Sequence, residues 1–199
     1  MSRSAATSVP LHPLLAERWS PRSFDPEHQV DEQQLAAILE AARWAPSAGN
    51  RQPWGFLVGR RGDATHKAIF ESLREANQTW AGKASLLVAA VADERGPDGG
   101  RNGYAAYDTG LAVAQLTLQA HALGLHAHQM AGFDHERLLA ALDAPAEGLL
   151  PLTVTAIGSL AHADLLPEQL RLRETAARER RPLTGNAYAG SWGRPLDLG

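Results

Sequence analysis

The chain contains no cysteine among its 199 residues. Disulfides, cysteine nucleophiles and thiolate metal sites are therefore excluded outright. Any redox chemistry must then be carried by a bound cofactor. A basic excess is missing too: 19 Lys and Arg stand against 22 Asp and Glu, for a net charge of −3. That balance offers no footprint for nucleic acid. Long apolar runs are absent, the longest being too short and interrupted to cross a bilayer, and Met1 to Val9 lack the apolar core of a signal peptide. A cytoplasmic chain that engages neither membrane nor nucleic acid is the expectation. Gly96, Gly99, Gly100 and Gly103 form neither a dinucleotide fingerprint nor a phosphate loop, and no Gly-x-Ser-x-Gly elbow occurs.

What is present is ordinary for a globular protein, with 44% hydrophobic and 21% charged residues. No repeat, biased tract or internal linker divides the chain, so residues 1–199 read as one domain. Within it, 1–9 are expected to be loose and 162–199 to form an extended, arginine-rich tail that lies on something else. Pro10 to Trp19 reads as a short helix. Asp31 with Gln34 makes a capping box, and Leu35, Ile38, Leu39 and Ala42 repeat at helical spacing up to Pro46. Trp54 to Arg60 reads as a strand, Asp63 to Ala76 as a helix, Thr79 to Ala84 as a helical turn, and Ser85 to Ala92 as a buried strand. Glu94 to Gly103 is a surface loop. Asn102 to Gly124 is the longest helix and is apolar on several sides, which places it at the centre of a core or in a subunit interface. Leu125 to Met130, Asp134 to Leu142 and Leu152 to Leu160 follow as strand, helix and strand.

Two stretches carry chemistry. In Arg18-Trp19-Ser20-Pro21-Arg22-Ser23-Phe24, two guanidiniums four residues apart and a compact hydroxyl suit an oxyanion. A solvated arginine pair beside a helix cap is the plainer reading of the same residues. In Pro46-Ser47-Ala48-Gly49-Asn50-Arg51-Gln52-Pro53-Trp54, a stiff loop presents Asn50 and Gln52, whose amides match the edge of a heteroaromatic ring. A loop that merely satisfies its own backbone is the alternative there. His126 and His128 share one strand face near His121, but Asp134 is the only carboxylate close in sequence. They are read as core or pocket histidines, and no metal is expected.

Together, Arg-x-Ser-x-Arg-x-Phe and the later Pro-Ser-x-x-Asn-x-Gln-Pro-Trp resemble the nitroreductase family of FMN-dependent oxidoreductases. The order continues through Asn77, Asp108-Thr109-Gly110, Gln129-Met130-Ala131-Gly132-Phe133 and the cluster Arg178-Glu179-Arg180-Arg181. The resemblance spans Leu14 to Trp192. It implies an α+β fold with a mostly antiparallel central sheet flanked by helices, and a homodimer whose tails wrap the partner subunit. Two FMN sites would lie at the interface, with NAD(P)H as electron donor and nitroaromatics, quinones or similar electron-poor small molecules as acceptors, in a ping-pong cycle. By the same resemblance, Arg18, Trp19, Ser20 and Arg22 meet the flavin and its phosphate, the loop with Pro46, Ser47, Ala48 and Asn50 comes from the partner, and Gln52 also binds the cofactor. Asn77 bonds the ring, Gln129, Met130, Ala131 and Gly132 face it, and Arg178 and Arg180 close on the phosphate. No side chain is expected to be catalytic, because the flavin carries the chemistry. Trp80 and Phe133 are candidates for the substrate pocket, and equally for ordinary core. Trp80 stands where many members carry a lysine, and Ala131 where many carry an acid. A flavin store or sensor without efficient NAD(P)H turnover is the alternative function, and a flavin-free interaction protein the third.

Overall fold

The structure is a computed structural model and describes residues 3–96 and 99–197. Four antiparallel strands form its sheet: β1 (Trp54–Arg60), β2 (Leu86–Asp93), β3 (His126–Met130) and β4 (Leu149–Gly158), in the order β1-β2-β4-β3. The helices are α1 (Pro13–Glu17), α2 (Glu32–Arg43), α3 (Ala64–Ser72), α4 (Glu75–Ala81), α5 (Ala105–Ala122), α6 (His135–Ala141) and α7 (Glu168–Thr175). The fold is the α+β arrangement expected from the sequence, with helices on both sheet faces.

Strand position explains strand composition. Central β2 is buried along nearly its whole length because both of its faces are covered. Leu87 and Ala89 point into one core with Ile69, Leu73, Trp80, Phe133, Leu138 and Val154. Leu86 and Val88 point into the other with Ile38, Ala42, Ala112, Leu116 and Ile157. An apolar run without alternation is what a doubly covered strand requires. Gly59 on edge strand β1 lets α3 dock, since a Cβ there would lie 2.3 Å from the His66 backbone nitrogen.

The Asp31–Gln34 capping box forms in both directions, at 2.7 and 3.1 Å, and starts α2. Other boundaries differ from the sequence reading. The helix expected over 63–76 breaks at Leu73 and Arg74, both extended. There Leu73 bridges Phe133 and Arg74 N donates to Gly132 O at 3.0 Å, so pairing with a distant segment overrides helical periodicity. The expected turn over 79–84 is absorbed into α4 and its end. β4 begins three residues early and carries Pro151 beside an irregularity in the β2–β4 register, where a missing N–H is tolerated. The helix expected over 10–19 shortens to α1, with Pro13 at its first position and His12 as cap. The tail also holds more structure than expected, in α7.

α5 turns Ala105, Asp108, Thr109, Ala112, Leu116 and Ala120 inward, while Tyr107, Gly110, Ala114 and Ala122 are exposed. Within one chain it is therefore covered on one side only.

Candidate functional site

Arg18 caps the C-terminal end of α1 in extended conformation, and the chain runs on through Ser20 to Arg22. The Arg18 guanidinium donates to Ser20 Oγ at 3.4 Å. Arg178 reaches in from the tail and bonds the carbonyls of Ala16 and Arg18, each at 2.8 Å, and that of Arg3. Arg180 donates to its neighbour's carbonyl, Glu179 O, at 2.8 Å. These residues line a cleft of ≈ 260 Å³ together with Trp19, Arg22, Arg173 and Glu174. Burial first, and then the charge of Arg180, lowers the pKa of Arg18. Burial and then Arg18, Arg180 and Arg3 do the same to Arg178. An anion placed among these like charges would relieve their repulsion.

Glu174 supplies part of the counter-charge. Its carboxylate is 3% exposed and accepts the backbone N–H groups of Arg22 and Ser23 at 2.8 and 3.1 Å through one oxygen. The other oxygen lies 3.9 Å from Arg22 Nη1. One buried carboxylate thus fixes the arginine stretch to α7. Sequence reasoning missed Glu174, because a lone glutamate in an arginine-rich tail looks like part of a solvated charge run.

Arg18 and Ser20 also border a second cleft, of ≈ 490 Å³, whose other walls are Leu15, Gly110, Val113, Ala114, Thr117, Leu118 and Gln129. Gln129 is oriented by Thr117, to whose Oγ1 its Nε2 donates at 2.6 Å. A cationic pocket thus opens onto a largely apolar cleft, with Arg18 and Ser20 at the join.

The other expected residues fall into three groups. Asn77 donates to Gly132 O at 3.0 Å and so ties α4 to the 131–133 loop; a Cβ on Gly132 would sit 2.9 Å from the Asn77 amide nitrogen. Ala131 is exposed beside it, and Met130 turns into the core. The loop Pro46 to Gln52 borders neither cleft. It is self-braced: Ser47 Oγ accepts from Gln52 N at 3.0 Å, and the Gln52 amide donates to Asn50 O and Oδ1, both at 3.1 Å. Gly49, Asn50 and Gln52 all have positive φ, which stores local strain at the two non-glycine positions. Buried Asp108 Oδ2 accepts from Ala48 N at 3.1 Å and fastens the loop to the first turn of α5. Finally, Trp80 and Phe133, considered for a substrate pocket, are 2% and 4% exposed and belong to the core. Trp80 lies between Phe24, at a ring-centroid distance of 6.1 Å, and His128 at 4.6 Å, which leaves it no face for a substrate.

His128 donates from Nδ1 to Pro21 O at 2.8 Å, and so holds the turn between Ser20 and Arg22. Burial pushes its pKa down to about 4. His126, edge-on to Trp19 and His121, is likewise lowered to about 4 by burial and then by His121. Unfolded histidines titrate near 6.5, so the unfolded chain binds more protons between pH 6.5 and 4, and stability falls as pH drops through that window. Thermal melts are expected to show a constant midpoint above about pH 7 and a steady fall below about pH 6.5, shallower in His128→Gln. A wild-type midpoint that holds down to about pH 4.5 would contradict this burial.

Comparison with known proteins shows the family to which this fold belongs. The Nitroreductase family model matches residues 15–159, so Arg3, Glu174 and the tail arginines lie outside the match. An uncharacterized 15.4 kDa protein in the ask 5′ region of Mycolicibacterium smegmatis is 42% identical over 149 residues, covering 71% of this chain and 99% of that protein. A Bacillus subtilis protein with the provisional name NAD(P)H nitroreductase YdgI is 26% identical over 184 residues, covering 74% and 87%. The crystal structure of an oxidoreductase containing FMN superposes with a TM-score of 0.90 at 36% identity, over 96% of this chain and 98% of that one. The chain belongs to the nitroreductase family.

Proposed function

We propose that the chain is an FMN-dependent oxidoreductase that passes hydride from NAD(P)H to nitroaromatic, quinone or similar electron-poor acceptors by a ping-pong cycle. The observation that carries this reading is the join at Arg18 and Ser20, where a pocket crowded with guanidiniums meets a largely apolar cleft. That shape and charge fit a phosphate monoester attached to a planar body. A phosphate brings about two negative charges, which offsets the repulsion among Arg18, Arg178 and Arg180.

When bound, FMN supplies the redox chemistry. The chain's own work is to bind and orient. Arg18, Ser20 and Arg180 would hold the phosphate. Arg178 acts at one remove, because its hydrogen bonds go to backbone carbonyls and so fix the course of Arg18. Gln129, set by Thr117, and the Asn77–Gly132 link would frame the ring. No acid–base side chain is required.

The same reading includes a homodimer. The exposed outer side of α5 and the self-braced 46–52 loop that borders neither cleft are what a shared site between two subunits would use. The tail, with exposed Leu172, Leu183 and Trp192, offers apolar surface for a partner to cover. Initial rates with NAD(P)H and a quinone varied together test the cycle. Parallel double-reciprocal lines are expected. Intersecting lines would refute the ping-pong order, and bound FMN with negligible turnover would favour the storage or sensor role.

A further inference from the structure

The N-terminal segment is bonded to the rest of the fold at Arg3 and Ala5. Ala5 N donates to Ala16 O at 2.8 Å, beside the end of α1. The Arg3 guanidinium forks onto the carbonyls of Glu174 and Ala176, at the last turn and cap of α7. Its central carbon also lies 4.2 Å from the centroid of the Trp19 ring. In return, the Arg3 carbonyl accepts from Arg178. Strap and tail therefore hold each other across the arginine stretch. Arg3 is a wall of the cationic cleft, and Ala5 to Val9 wall a neighbouring hollow of ≈ 700 Å³ with Arg18 and Arg178 to Leu183.

The physical problem at this place is that cations do not assemble by themselves. Arg18, Arg178 and Arg180, and Arg3 with them, are like charges, so contacts other than charge attraction must keep the tail in place before an anion arrives. The fork of Arg3 does so: it satisfies two helix-end carbonyls that lack intrahelical partners, and stacks on an aromatic face. We propose that residues 3–9 form a strap anchored by Arg3, which walls the cationic cleft and, as the positioning residue, sets Arg178 beside Arg18 so that the cleft closes over a bound phosphate monoester. This rests on the FMN reading above. The strap lies outside both hydrophobic cores, so its main effect is on the residence time of the ligand.

The test follows flavin release by fluorescence after dilution, with FMN and with riboflavin, which shares the ring but lacks the phosphate. Wild type, Arg3→Ala and Arg3→Lys are compared, and the melting point of each flavin-free chain is recorded. Arg3→Ala is expected to release FMN about tenfold faster, with riboflavin release unchanged and the flavin-free melting point lowered only slightly. Arg3→Lys should behave like Arg3→Ala, since an ammonium keeps the charge but cannot fork between two carbonyls while stacking. FMN release from Arg3→Ala at the wild-type rate would overturn the strap. So would equal acceleration for both flavins, or full rescue by lysine. A wild-type chain that holds FMN no longer than riboflavin would instead overturn the phosphate assignment on which the strap rests.

Discussion

Arg18→Ala is expected to weaken FMN binding roughly 10- to 100-fold, while the flavin-free chain melts at the wild-type temperature or slightly above. The two halves of this result come from different atoms. The side chain is a charge-assisted donor at the junction of the two clefts, and such bonds contribute about 1.5–3 kcal/mol each. The fold, in contrast, uses the Arg18 carbonyl, which receives Arg178 at 2.8 Å and survives the substitution. Removing the guanidinium also relieves its repulsion with Arg180. Titration of flavin fluorescence and a melting curve give both values. Unchanged affinity would remove Arg18 from the site. If the loop of residues 46–52 reaches the partner's site, Asn50→Ala also weakens FMN binding. Mixed dimers of the Arg18 and Asn50 variants then regain one intact site of the two.

Trp80→Ala is expected to destabilise the chain by about 3–5 kcal/mol, because it leaves a cavity in a close-packed core. Trp80 is 2% exposed, stacks on Phe24 and supports His128, whose ring holds the Pro21 carbonyl. In a domain of this length the midpoint should drop by roughly 10 °C. Loss of FMN would follow as a secondary effect, through the slackened turn at Pro21. A variant that melts like wild type but shows an altered acceptor KM would return Trp80 to a substrate pocket.

Sequence and structure agree where the information is local. The capping box at Asp31, the strand over Trp54–Arg60 and the unbroken apolar run of β2 are each set by short-range pattern and burial. Arg18 and Ser20 were legible because the oxyanion chemistry sits within five residues. What was not legible depends on partners far along the chain. The break at Leu73 exists because Phe133 pairs there. Arg3 and Glu174 matter only once the two ends of the chain meet. Trp80 carries no local signal of its burial, and only its packing shows that it points inward. Arg178 was expected to close on a phosphate; its bonds go to backbone carbonyls, a distinction that composition does not carry.

The most direct measurement is the visible absorption spectrum of the purified protein, before and after anaerobic addition of NADPH or NADH, followed by a quinone. A flavin spectrum that bleaches with a reduced nicotinamide and returns with the quinone is the expected result, since it reports cofactor and hydride transfer in one sample. A protein that stays colourless even after FMN is added would contradict the reading of the Arg18–Ser20 junction. A flavin spectrum that neither nucleotide bleaches would contradict the NAD(P)H-linked cycle and leave a flavin-binding protein of another kind.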